Sequence, residues 1–580
     1  MTTREQVRSA IRAALREAGG GDAAGAFAVE PPADPGHGDY ATNAALVLAK
    51  SAGMNPRDTA SAIAERLSND RDLIAKVEVA GPGFINIWLP DAVLQKALGE
   101  VLTAPDAWGT SDIGKGKTVR VEYFQLNIAK RPHVGHLRSA VIGDAIKRML
   151  LAQGYNAVSD THVGDWGTQF GILLKGYKEF IAHGESIPPD ADPFEFLERI
   201  YVNQFDHLED IREQGKLEFA KLERGDPENR KIWEWMVDVS MRKLEQAAGR
   251  LSLIPFDMHR GESFYEDKMA PLVESALRKG VAKKTSDGAV VVDLAADGLD
   301  EAVLVKSDCA STYLLRDLAT IRYMKETLDF AGNLYVVDVR QSHHFRQLFR
   351  VAELLGFEGV GESEHIEFGF MTSPEGALST RKGTAISLDT VIDEARDRAR
   401  KIIAEKNPDL GNADTVAEHV GLGALKYFDL SHHRRSDVVF RWEDALAFEG
   451  NTGPYLQYTH ARFRSILRKL PTDHHNSSDR VNSGDAWNGA SLDAAEHRLL
   501  VAILRLPEAI EDALKDYTPN TLANYLYGLA KLANEFYHSH PVLPEPDEAK
   551  RRLRIAVVAG VALTLKNGLN LLGIEAPQEM

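Results

Sequence analysis

The stretch from 118 to 171 constrains this chain more than any other. TVRVEYFQL (118–126), rich in β-branched and aromatic residues, reads as a buried strand. HVGH (133–136) follows, and then LRSAVIGDAIKRMLLAQGY, an amphipathic helix closing at Gly154. NAVSDTHVGDWGTQFG (156–171) resumes a strand and runs into a glycine-rich loop. This strand–loop–helix–strand order is the start of a doubly wound parallel sheet, whose ligands bind outside the carboxyl ends of the strands. The helix after His136 offers an anion unpaired N–H groups and a partial positive charge. His133 and His136 can donate to phosphate oxygens, and Gly135 leaves space for a flat base against the backbone. On these letters alone, two structural histidines in a turn are the more frequent account, since short motifs often match by chance.

AVVVDL (289–294), AVLVKS (302–307) and NLYVVDV (333–339) read as further core strands, with a helix at 314–326 between the last two. Residues 173–250 read as a helical insertion, and from about 390 the pattern is nearly all helix, broken by a polar loop at 471–491. Ahead of the sheet, residues 1–112 read as a separate α+β unit. It has helices at 4–18 and 56–68, a turn at GDYATN (38–43), and a strand-like run, VEVAGPGFINIWL, at 77–89. GKGK (114–117) reads as a linker.

A chain of 580 residues is too long for one core and implies three or four domains. The one cysteine, Cys309, excludes an internal disulfide and a cysteine-rich zinc site, and it fits a reducing cytoplasm. The N-terminus has charges every few residues, Glu5 and Glu17 among them, and no apolar core of a secretory signal. No stretch approaches the roughly 18 apolar residues of a membrane helix. The net charge of −17 argues against nucleic-acid binding only if charge is spread evenly, since one basic face suffices for phosphate contact.

VEYFQLNIAKRPHVGHLRSAVIGDAIKRML (121–150) resembles the nucleotide-binding signature of class I aminoacyl-tRNA synthetases, and most closely that of the arginyl-tRNA synthetases. Asn127, Lys130, His133, Gly135, His136 and Arg138 fall where that pattern has them, whereas Arg131 and Pro132 depart from it. The resemblance implies that His133, Gly135 and His136 contact ATP and stabilise the α-phosphate. GALSTRKGTAISLD (376–389) resembles the degenerate second signature of this family, with Ala377 and Leu378 replacing its first lysine and methionine. Ser379, Thr380 and Arg381 are implied in ATP binding, and Arg381, Lys382 and Lys130 in neutralising the departing pyrophosphate. On composition alone, Arg381 and Lys382 are also a solvated basic turn.

A planar cation with five donors calls for carboxylates. Tyr313 and Asp317 stand four apart in STYLLRDLATIRY, a spacing shared by ordinary surface pairs. The resemblance assigns both to an arginine pocket, together with Asn127, Glu262 of FDMHRGES and Gln341 of YVVDVRQSHHF. It assigns Gly38, Tyr40, Asn43, Phe84 and Asn86 to an N-terminal domain that reads the tRNA elbow. FEGNTGPYLQYTHARFRSILRK (448–469) and the ending LNLLGIEAPQEM resemble the anticodon-binding part, which implicates Tyr455, Tyr458, Arg462 and Met580 in RNA contact. Arg464, Arg468 and Lys469 lie on the same stretch.

The expectation is therefore a multidomain α/β chain. An N-terminal additional domain occupies 1–112, a Rossmann-like catalytic domain 113–395, stem helices 396–454, and an all-α anticodon-binding bundle 455–580. The implied activity is ATP- and Mg²⁺-dependent, zinc-free ligation of L-arginine to tRNA(Arg) by a cytoplasmic monomer. A small-substrate nucleotidyltransferase and a non-catalytic tRNA-binding paralogue are the competing readings.

Overall fold

A computed structural model describes residues 2–17, 27–184, 186–188, 191–205, 208–308, 310–374, 376–377, 386–470, 487 and 490–580. Cys309 lies outside the described residues, as does most of the polar loop at 471–491. The chain forms two units. One comprises residues 112–401 and 424–446; the other comprises 1–111, 402–423 and 447–580.

The first unit is built on β1 (Thr118–Glu122), α1 (Leu137–Ala152), β2 (Asn156–Asp160), α2 (Tyr313–Leu328), β3 (Gly332–Tyr335), α3 (Ser342–Leu354) and β4 (Ser363–His365). The four strands lie in the order β4-β3-β1-β2, every pair parallel, with Val121 level with Leu334 on one side and Ser159 on the other. Chain order reverses at the central β1. The loops leaving β1, β2 and β3 therefore meet at one end of the sheet, where such folds hold ligands.

Both neighbours of β1 are strands, so its polar side chains need internal partners. Arg120 and Glu122 stand two apart and share a face. The Arg120 guanidinium is fully buried and donates to Glu122 Oε2 (2.5 Å), Asp160 Oδ2 (2.8 Å) and Asn333 Oδ1 (3.0 Å), linking β1, β2 and β3.

Two of the expected core strands belong elsewhere. Val290–Val292 and Ala302–Val305 pair antiparallel and, with Lys283–Lys284, make a separate three-stranded sheet. Valine runs favour a strand without naming its partner. The link at 293–301 also falls short of the dozen or more residues that a parallel crossover needs. The fourth parallel strand, Ser-Glu-His at 363–365, is too short and polar to stand out in the sequence. The insertion is helical as expected, with helices Thr168–Ala182, Pro193–Phe205, Leu208–Glu223 and Pro227–Arg250.

In the second unit, a four-stranded antiparallel sheet has the order Val29–Glu30, Tyr40–Thr42, Phe84–Trp88, Lys76–Ala80. The single run expected at 77–89 is a hairpin. It turns at Gly81 (φ 52°) and Gly83 (φ 143°), where a side chain would be strained. Helices Thr3–Glu17, Ala44–Ala52 and Pro56–Leu67 surround this sheet, and the C-terminal part is a bundle from Gly453–Arg468 to Glu548–Leu571. The two ends of the chain share this unit. Arg4 pairs with Glu511 (2.8 Å) and Asp512 (2.7 Å), and Trp108 Nε1 donates to Thr564 Oγ1 (3.0 Å).

Candidate active site

HVGH leaves the carboxyl end of β1 as a single 3₁₀ turn, Val134–His136, that feeds α1. Its two histidines are fixed by the backbone. The Gly135 amide donates to His133 Nδ1 (3.1 Å), and the His133 amide donates to His136 Nδ1 (3.1 Å). The ring centroids are 3.9 Å apart. Burial, the neighbouring His133 ring and the Lys130 charge together push His136 down to about 3. Burial and Lys130 lower His133 as well. Both rings are thus neutral at physiological pH, and with each Nδ1 accepting, each carries its proton on Nε2. The turn presents two imidazole N–H donors at a helix N-terminus, a setting suited to phosphate oxygens. The Lys130 ammonium lies 5.3 Å from the centroid of the Tyr201 ring.

The second signature is tethered to the first. Ala377 pairs with Thr372 in a short antiparallel bridge. Ser379, Thr380, Arg381 and Lys382 lie outside the described residues. Directly after them the chain joins the HVGH turn. Val134 N donates to Ile386 O (3.2 Å), Leu388 N donates to Pro132 O (3.0 Å), and His133 and Ser387 form a β-bridge.

The loop after β2 is the hub of the implied arginine pocket. Gly164 N donates to Leu126 O (3.0 Å) and Ile128 N to Gly164 O (3.2 Å), which sets exposed Asn127 beside Gly164. A Cβ on Gly164 would meet Asn127 Oδ1 at 2.2 Å, so any larger residue there would push the Asn127 side chain aside. Glu262 N donates to Val163 O (3.1 Å), and the buried Glu262 carboxylate receives Arg316 Nη1 at 2.9 Å. Burial outweighs the arginine and pushes Glu262 up to about 7.

Asp317, one turn along α2 from exposed Tyr313, lies between His344 Nε2 (2.6 Å) and His162 Nε2 (3.5 Å). Gln341 is exposed at the start of α3, the helix that carries His344. The structure thus gathers Asn127, Glu262 and Asp317 around one loop, with Tyr313 and Gln341 on the exposed starts of the adjoining helices.

Sequence reasoning missed His162, His344 and the buried pair Arg120–Glu122. A charged pair inside a β-branched strand was the available signal for Arg120 and Glu122. The HH of RQSHHF, one turn past Gln341, was the signal for His344.

The residues expected to face RNA divide sharply. Tyr40 is buried, its hydroxyl donating to Glu508 Oε1 (2.8 Å), and Asn86 is buried on its strand. Neither offers a surface to a base: Tyr40 is level with Ile87 and Asn86 with Ala41, so the two stand on opposite faces of the sheet and each is covered on its own side. Asn43 is half-buried and accepts from Ala28 N (2.8 Å). Phe84 is exposed. Tyr455 is half-buried and accepts from Asn534 Nδ2 (3.0 Å). The Arg462 guanidinium lies over the rings of Tyr458 (4.8 Å) and exposed Tyr537 (5.0 Å), forming one cationic aromatic patch. Met580 ends the chain with its carbonyl accepting from Asn407 (3.2 Å).

Three family models match the chain. They are described as the arginyl tRNA synthetase N terminal domain (residues 5–89), the class I (R) tRNA synthetase catalytic domain (99–442) and the DALR anticodon binding domain (456–580). Among curated relatives, the arginine–tRNA ligase of Lactococcus lactis subsp. lactis (strain IL1403) is 37% identical over 586 residues, covering 100% of both chains. That of Pediococcus pentosaceus is 39% identical over 559 residues, covering 95% of each. Among solved structures, the Thermus thermophilus arginyl-tRNA synthetase superposes with a TM-score of 0.80 at 27% identity, covering 100% of both chains. The Plasmodium falciparum arginyl-tRNA synthetase shares the fold, with a TM-score of 0.82 at 23% identity over 100% of this chain and 99% of that one.

Proposed function

Because the chain belongs to the arginyl-tRNA synthetase family and is a class I arginine–tRNA ligase, we propose that the crevice at the carboxyl ends of β1, β2 and β3 holds ATP and arginine side by side. The observation that carries this reading is the pair of neutral imidazoles, each with Nδ1 occupied by a backbone amide and its proton left on Nε2, beside the bonds to 386–388. The arginine carboxylate attacks the α-phosphate in line, and pyrophosphate leaves. His133 and His136 donate to the α-phosphate oxygens, while Lys130, Arg381 and Lys382 offset the charge on the leaving group. Positioning and charge neutralisation supply most of the rate. The 2′-OH of the terminal adenosine of tRNA(Arg) then attacks the arginyl-adenylate.

Asp317 supplies the negative charge for the guanidinium, Glu262, already paired with Arg316, a hydrogen-bond acceptor, Tyr313 a flat wall, and Asn127 and Gln341 contacts to the amino-acid backbone. Phe84, Tyr458, Arg462 and Met580 are the RNA contacts we retain. Tyr40 and Asn86 support the surface from beneath. Mg²⁺ is assigned to the triphosphate itself, because in the buried cluster of Glu122, Asp160 and His162 both carboxylates are already bonded to Arg120. Among the described residues no helix is long and apolar enough to cross a membrane. The reducing-environment reading of Cys309 supports a cytoplasmic location.

Charging of total tRNA with radiolabelled arginine tests the whole reading; no charging by the full chain with ATP would refute it. Two narrower outcomes are expected. First, arginine-dependent ATP–pyrophosphate exchange requires tRNA, and full-rate exchange without tRNA would contradict this. Second, Gly135→Ala slows that exchange on the order of 100-fold, the cost of displacing a catalytic group by about 1 Å. Its Cβ would stand 2.8 Å from Cε1 and 2.9 Å from Nδ1 of His133, forcing that ring out of its bond to the backbone. Melting should be unchanged, since residue 135 is exposed. An unaltered exchange rate would mean that the His133 orientation is immaterial.

A further inference from the structure

Among the described residues, the ion-pair partners of Asp317 are two imidazoles, His344 at 2.6 Å and His162 at 3.5 Å. The neighbouring carboxylates have permanent cations. Arg120 serves Glu122 and Asp160, and Arg316 serves Glu262. His162 is the more enclosed of the two histidines, its side chain 10% exposed against 25% for His344. It leaves β2 with φ 41°, a left-handed backbone that a side-chain-bearing residue adopts only under constraint. The bonds from Gly164 to Leu126 and from Glu262 to Val163 provide that constraint. Among the described residues, His162 Nδ1 is buried without a hydrogen-bond partner.

Every wall around this ring presents acid. Glu122 comes from β1 and Asp160 from β2, where Asp160 Oδ1 also accepts the His162 amide (3.4 Å). Glu262 and the Tyr265 ring (5.9 Å) come from the 3₁₀ turn Glu262–Tyr265, and Asp317 comes from α2. Burial alone would lower the pKa of His162, but Glu122, Asp317, Asp160 and Glu262 together outweigh it and raise it.

We propose that His162 stands in for the substrate guanidinium: in the empty pocket its imidazolium pairs with Asp317, and arginine takes that carboxylate over as the imidazolium N–H bond breaks and its proton passes to solvent. The proposal rests on the reading of Asp317 as a guanidinium ligand. Two cations sharing one carboxylate in a poorly solvated site repel strongly, so the weaker acid–base partner loses its charge. The sign follows. Arginine affinity rises with pH while His162 is still protonated in the empty enzyme, and becomes flat above its titration. His162 is thus a positioning residue that keeps Asp317 ionised and aimed until the substrate arrives.

The test is calorimetric titration of L-arginine into the full chain with saturating tRNA at pH 7, in phosphate and in Tris, whose ionisation heats differ. The wild type should release up to one proton per arginine. Its KM for arginine should fall by up to about tenfold per pH unit on the acid side, with kcat changing less. His162→Gln should release none, and its KM should be flat with pH; His162→Asn serves if that variant melts early. Buffer-independent heat in the wild type overturns the proposal. So does full proton release in the His162 variants, which would assign the proton to His344 or Glu262. No arginine heat in any protein would overturn the pocket assignment itself, and this inference with it.

Discussion

Asp317→Ala should lower kcat/KM for arginine about a thousandfold while ATP still binds. Truncating one partner of a buried, hydrogen-bonded charge pair costs about 2–5 kcal/mol, and 4 kcal/mol is roughly a thousandfold at 1.4 kcal/mol per decade. The carboxylate is 21% exposed, which makes the loss one of recognition more than of folding. Asp317→Asn should fall between, since an amide still bonds the histidines but carries no charge for the guanidinium. Arginine-dependent pyrophosphate exchange with tRNA present, beside direct ATP binding, separates the two effects. Ordinary arginine kinetics in the alanine variant would remove Asp317 from the pocket.

The second large effect is on stability. Arg120→Met should destabilise the chain by about 3–5 kcal/mol, because Glu122 and Asp160 would remain buried without their cation. At roughly 1.5 °C per kcal/mol for a unit of about 310 residues, the melting temperature should drop by about 5–8 °C. The deficit should shrink as pH falls. In the native protein burial raises the Asp160 pKa, but Arg120 and the neighbouring groups prevail and hold it below the usual aspartate range. That stability is present above the ordinary aspartate pKa and is lost as the pH falls through the lowered one. Without Arg120 the carboxyl protonates earlier, and the uncompensated charge disappears. Arg120→Lys should recover part of the loss, since a single nitrogen, Nη2, already serves both acids, whereas the bond from Nη1 to Asn333 would be lost. Thermal unfolding followed by circular dichroism decides it; an unshifted melt would show that methionine packing fully replaces the guanidinium.

The strand–HVGH–helix–strand core was legible because a helix period and a buried strand are local signals. Which strands share a sheet was not. Val290–Val292 reads like a core strand, and only its partner Ala302–Val305, nine residues on, decides for an antiparallel pair. The hairpin at Gly81–Gly83 was hidden because AGPG interrupts an otherwise even apolar run. In the site, residues adjacent in sequence to a signature were legible. His162 and His344 were not, since their importance arises only where loops from two strands converge on Asp317. Tyr40 shows the opposite failure: an aromatic expected to meet a base instead closes a buried bond to a residue 468 positions away.

That bond belongs to a larger join. Tyr40 and Arg4 both reach Glu508, Gln95 Nε2 reaches Ala490 O, and a Cβ on Gly560 would stand 2.8 Å from Leu98. Inheritance and folding therefore cut this molecule along different lines. A truncation placed at the edge of the first family segment would unroof the helices of the last one, exposing their apolar face and stripping Glu508 of both donors. The two termini are companions as polypeptide, so an engineered anticodon-binding fragment should carry the opening hundred residues along with it.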